Sequence, residues 1–153
     1  MKIRLRHLTL VCLLWTSHLT IANADDIMMA RINQDFPEAM LKLQETLKNQ
    51  GYTVSRVQRV DIGLTKSGYL TDKYRVVFYG KPDEINRISQ QYPELIPYLP
   101  LKIAIFAEAD DTMLVAANPL ILSINAPKPL QKQLSRWEKD LEKLLAQMKI
   151  QSD

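Results

Sequence analysis

The residues best suited to chemistry stand at two places in the chain. Tyr79-Gly80-Lys81 follow a β-branched and aromatic run, and Tyr98 and Lys102 flank a Leu-Pro step, with Asn118 further on. Glycine lets a ligand approach the backbone closely, tyrosines offer amphipathic walls, and lysines can hold an anion. Together Tyr79, Gly80, Lys81, Tyr98, Lys102 and Asn118 are the candidate ligand-binding set. The plainer reading carries more weight: Gly80 and the prolines shape turns, and Lys81 and Lys102 face solvent. Glu108, Asp110 and Asp111 bring three carboxylates close in sequence. A hard cation needs six or more oxygen ligands at defined spacing, and a hairpin turn favours Asp for its own reasons, so a metal site is not expected there. Asp61, Glu94 and Glu108 can be combined into a carboxylate pair for hydrolysis, but spacing in sequence does not fix their separation.

Other chemistries depend on what happens to the first residues. Lys2, Arg4 and Arg6 precede an apolar run from Leu8 to Trp15, and a polar stretch then ends in Ala22-Asn23-Ala24. This is the pattern of a secretory signal peptide, residues 1–24, with cleavage expected after Ala24 and a periplasmic or secreted destination. Thr16, Ser17 and His18 interrupt the apolar run, whereas a permanent span wants roughly 20 apolar residues. Cys12 follows the bulky Val11, which argues against lipid attachment. Both histidines (His7, His18) and the single cysteine fall in the segment expected to be removed, leaving 129 of the 153 residues. No disulfide is then expected, nor a zinc, copper, iron–sulfur or His-ligated haem site, nor a Cys–His or Ser–His–Asp nucleophile. The methionines are expected to fill core gaps, and no cofactor is assigned. Residues 25–153 carry 17 basic and 17 acidic side chains, so the basic surplus belongs to the leader. Without a net basic footprint, nucleic acid is not an expected partner.

The elements that must position the candidates follow from periodicity. Ile27–Ile32 reads as a strand. Asp35, Pro37 and Glu38 open a helix whose stripe is Phe36, Met40, Leu43 and Leu47, and Gly51 stops it. A strand is expected through Val54, Val57, Val60 and Ile62, with a bulge near Arg56. A polar connection with at most one helical turn follows, then a strand through Tyr79 and a helix from Pro82 with Ile85 and Ile88 inward. Pro93, Pro97 and Pro100 predict a bent loop, and two apolar runs around Ala109-Asp110-Asp111-Thr112 predict a hairpin. Leu130, Leu134, Trp137, Leu141, Leu144 and Met148 form one face of a terminal helix, expected to lie on its own domain more readily than on a partner subunit. Residues 25–153 are therefore expected to form a single α+β domain, a mostly antiparallel sheet of about five strands with helices on one face.

From Phe36 to Leu144 the order of motifs resembles the bacterial "domain of unknown function 302" family. The resemblance rests on Phe36, Gly51, Tyr74-Arg75-Val76, Tyr79-Gly80-Lys81-Pro82, Leu99-Pro100 and Asn118-Pro119. It implies a compact α+β fold able to pair into homodimers, with no established activity. Many cytoplasmic relatives carry cysteines at the places of Gly80 and Leu101. This chain has neither and is more similar to exported relatives, so thiol chemistry does not transfer. Two functions stay open: a non-catalytic envelope module binding a small ligand or a partner protein, or a hydrolase-type enzyme using carboxylates, Tyr or Lys.

Overall fold

The computed structural model describes residues 26–124 and 126–150, so the expected leader lies outside the described residues. Strand β1 (Ile27–Ile32) leads into helix α1 (Phe36–Asn49), whose start is fixed by the Asp35 carboxylate accepting from the Glu38 N–H at 3.0 Å. Its end is fixed by Gly51, which at φ 77° donates its N–H to Lys48 O while Tyr52 N–H reaches Leu47 O. Only glycine takes that left-handed turn without cost. The buried positions are Phe36, Ala39, Leu43 and Leu47, and Met40 of the expected stripe is half-buried. Ala39 faces the core instead, where a small side chain lets the helix approach closely.

Strand β2 (Thr53–Arg59) pairs antiparallel with β3 (Tyr74–Gly80), and the register shifts between Val54 and Arg56, where a bulge was expected. Val60 and Ile62 are not strand residues, contrary to expectation. Pairing runs out at Arg59 opposite Arg75, and the chain turns into helix α2 (Val60–Lys66), held back to β3 by an Asp61–Arg75 ion pair. Helix α3 (Pro82–Gln91) follows β3 directly. The expected proline loop is ordered as a 3-10 helix, Pro93–Tyr98, in which Leu95 N–H donates to Tyr92 O and Leu99 N–H to Ile96 O. Proline fits there because the donors it lacks lie between those bonds.

The hairpin of β4 (Leu101–Glu108) and β5 (Asp111–Ala117) is tighter than expected. Glu108 pairs with Asp111, leaving a two-residue turn of Ala109 and Asp110, so Asp111 and Thr112 belong to the strand. Thr112 is fully buried and donates its hydroxyl to Gln34 O at 3.0 Å. A second 3-10 helix (Pro119–Ile124) leads to α4 (Lys128–Lys149). All five strands form one antiparallel sheet in the order β1-β5-β4-β3-β2, giving the expected α+β domain.

Alternation decides the two faces of this sheet. Ala30, Ile32, Val77, Tyr79, Ile103, Ile105 and Leu114 are buried on the helix side. Every expected apolar position of α4 is buried there too, with α4 packed on α1, β1 and the second 3-10 helix. The intervening Val76, Phe78, Ala104, Phe106, Met113 and Val115 point the other way and are half-buried. No helix among the described residues is long and apolar enough to cross a membrane.

Candidate ligand groove

The face without helices carries a groove of about 400 Å3. Its floor is a row across three strands, in which Val76 pairs with Ala104 and Ala104 with Val115. Ala104 stands between Lys102 and Phe106 on the same face of β4, and its methyl leaves a dip between longer neighbours. Ile27, Ile121 and Leu122 wall one end, and Tyr98 and Lys102 stand at the rim. Among the described residues, no Asp or Glu lines it.

The structure divides the six candidate residues between two places. Tyr79, Tyr98, Lys102 and Asn118 border the groove. Of these, Tyr98 is 54% exposed and available to a ligand. Lys102 projects to solvent, donating to Pro97 O at 3.3 Å and lying 5.9 Å from the Phe78 ring centroid. Asn118 is buried and fully used: its amide donates to Glu138 at 3.0 Å and its carbonyl oxygen accepts from Leu120 N–H at 2.9 Å, which starts the second 3-10 helix. The Tyr79 ring turns to the helix side, edge-on to Tyr52 at 5.3 Å, and burial pushes its hydroxyl pKa well up. Lys81 lies with that pair, its ammonium 4.9 Å above the Tyr52 ring, away from the groove. Gly80 faces Ile85, and a Cβ there would come within 2.7 Å of Ile85 Cγ1. Its missing side chain makes room for α3, not for a ligand.

Beneath Lys81 a polar network ties three elements together. Tyr52 donates its hydroxyl to Asp140 at 2.6 Å, Arg136 bridges Asp140 and Glu84, and Trp137 Nε1–H donates to Glu84 at 3.2 Å. Burial, then the hydrogen bond to Asp140, raises the Tyr52 pKa far above its ordinary value. Each buried or half-buried group of this network thus has a partner, as burial requires.

Comparison with known proteins fits this architecture. The family profile described as "Domain of unknown function DUF302" matches residues 28–148. The chain belongs to the DUF302 family. A crystal structure of an uncharacterized conserved DUF302 protein from Bacillus stearothermophilus superposes with a TM-score of 0.74 at 20% identity, covering 82% of this chain and 99% of that one. No curated protein matches the chain.

Of the carboxylates considered for catalysis in this DUF302 chain, Glu108 and Asp61 are engaged in ion pairs, and Glu94 is exposed and does not line the groove. Arg31 of β1 pairs with both Glu108 and Asp111 across the hairpin. Asp61 pairs with Arg75, whose hydrogen bond holds the carboxyl below its usual range. Among the described residues no three His, Cys, Asp or Glu side chains gather to hold a metal ion. Sequence reasoning missed Val76, Ala104, Val115, Ile121 and Leu122 as groove residues. Their signal was present: β3, β4 and β5 are apolar on both faces, more than a single helix layer can cover.

Proposed function

We propose that this DUF302 protein is an exported, non-catalytic binding module of the cell envelope, whose groove on the open sheet face takes a small apolar ligand. The observation that carries the reading is the groove itself. It falls within the range of roughly 300–1,000 Å3 usual for small-molecule sites, with an apolar floor and few polar groups at the rim. A carboxylic-acid end on the ligand would find Lys102 there, while an aromatic or aliphatic body would cover Ala104. The hydrolase reading is less well supported, because acid–base work needs a carboxylate at the ligand and none among the described residues lines the groove.

Titration with medium-chain fatty acids, followed by amide NMR, tests this reading. Saturable shifts at Ala104, Val115 and Ile121 are expected, and Ala104→Trp, which fills the dip, should abolish them without changing the melting temperature. No shift at these residues with any chain length would refute the groove. Intact mass of protein recovered from the native envelope tests export, because retention of residues 1–24 would contradict it.

A further inference from the structure

A second groove, of about 540 Å3, lies between α3 and the first turns of α4 and shares no lining residue with the apolar one. Arg87 lines it from α3, and Lys132, Arg136 and Lys139 line it from α4, with Tyr92 and the buried Leu130 beneath; among the described residues no Asp or Glu does. Positions 132, 136 and 139 recur at helical spacing and form one basic stripe beside the buried apolar one. The cations differ in how they are partnered. Arg136 is committed to Glu84 and Asp140. Arg87 donates only to the neutral side chains of Gln91 and Gln133, at 3.4 and 3.2 Å. Lys132 and Lys139 take part in no ion pair among the described residues. Three cations outside any ion pair among the described residues therefore line one concavity, in a chain whose residues 25–153 balance overall at 17 basic against 17 acidic side chains.

The shape narrows the ligand. Lys132 and Lys139 stand two helical turns apart, a rise of about 10 Å, more than one phosphoryl group spans. Lysine stems are flexible point donors, and a tetrahedral phosphoryl group offers several oxygens to them and to a guanidinium at once. Gln133 and Ser135 supply further hydrogen-bonding groups between the charges. The groove is half open to solvent, and a concavity of this size suits a small molecule rather than a polymer lying across an extended basic face. We propose that the groove between α3 and α4 binds a molecule carrying two linked phosphoryl groups, held by Arg87, Lys132 and Lys139.

Inorganic pyrophosphate is the probe, titrated calorimetrically into the purified protein at low ionic strength, about 50 mM. Saturable binding is expected. Exchanging two exposed cations in K132Q/K139Q should weaken it roughly tenfold, at about 1 kcal/mol or less per charge. Lys48→Gln, on the exposed side of α1, should leave it unchanged, and unaltered melting temperatures show that the variants are folded. Co-sedimentation with phosphatidylcholine vesicles doped with a polyprenyl diphosphate, against phosphatidylcholine alone, distinguishes a lipid-borne diphosphate from a free one as the source. Binding to either source that K132Q/K139Q weakens about tenfold or more supports the site. Absence of both, or binding that Lys48→Gln weakens as much as K132Q/K139Q does, overturns it.

Discussion

Gly80 separates a packing role from a ligand role by experiment. A Cβ at Gly80 would lie 2.7 Å from Ile85 Cγ1, 3.0 Å from Ile85 Cδ1 and 3.7 Å from Pro100 Cβ. Ordinary carbon contacts are about 3.5–4.0 Å, so the nearest pair overlaps by close to an ångström. Gly80 ends β3 opposite Thr53, and Ile85 is already in the first turns of α3 five residues on, so neither backbone can move far. Overpacking of this kind costs about 1–3 kcal/mol, and the lower chain entropy of alanine offsets about 0.4–1 of it. Gly80→Ala should therefore lose about 1–2 kcal/mol in urea denaturation followed by circular dichroism. Ile85→Ala, at a half-buried site, should lose a similar amount through missing contacts. The double variant decides the question. With Cγ1 and Cδ1 gone the new methyl has room, so Gly80→Ala should be neutral or stabilising in the Ile85→Ala background, a coupling of about 1 kcal/mol or more. Strictly additive losses would refute the packing account, and a Gly80→Ala protein of unchanged stability but altered ligand binding would restore the ligand role.

Other perturbations have equally definite signs. Ala109 sits at φ 52° in the hairpin turn, a conformation that costs an L-residue about 1–2 kcal/mol, so Ala109→Gly should raise the melting temperature; a decrease would contradict the two-residue turn. Tyr52 and Tyr79 have raised pKa values. Their stabilising contribution is complete below the ordinary tyrosine pKa of about 10 and is lost as pH rises past it. Tyrosinate absorbance at 295 nm should therefore show two hydroxyls ionising together with unfolding, and their ionisation in the folded protein would disprove the burial argument. Asp61 has a lowered pKa, so its pair with Arg75 contributes above roughly pH 4 and is lost as pH falls through the folded-state value. Asp61→Asn should flatten the acid side of the stability profile, and an unchanged profile would remove that pair from the account.

The parts of the fold legible in the sequence are those fixed by local patterns. Asp35 and Gly51 bracket α1 because capping is decided by a few neighbouring residues. The stripe from Leu130 to Met148 identified α4 because helical period is written along a single segment. Errors came where pairing partners decide. Val60 and Ile62 continue an apolar rhythm, yet beyond Arg75 only Tyr74 remains in β3, too little strand to pair with both, and the chain coils instead. Asp111 is of a type that favours turns, but Glu108 stands opposite it in the ladder and Arg31 satisfies both carboxylates. The candidate site suffered in the same way. Tyr98 and Lys102 reached the groove rim, whereas Lys81 went to the helix side because α3 starts at the next residue.

The motif residues that carry the family resemblance have structural duties in this chain. Gly51 turns the chain at positive φ, Gly80 admits Ile85, and Asn118 closes the start of a 3-10 helix while holding Glu138. Arg75 holds Asp61 and lies 5.7 Å from the Phe36 ring centroid, joining α2 and α1 to β3. Such residues specify the scaffold, and their presence says little about what the scaffold binds. The groove residues Ala104, Val115, Ile121 and Leu122 lie outside those motifs, as do Arg87, Lys132 and Lys139. A change at Ala104 or Lys132 alters a cavity wall without disturbing a cap, a turn or the buried network. Under the proposed reading, Ala104, Val115, Lys132 and Lys139, whose side chains serve no cap, turn or ion pair among the described residues, are therefore the positions at which to probe function, rather than the motif glycines and tyrosines.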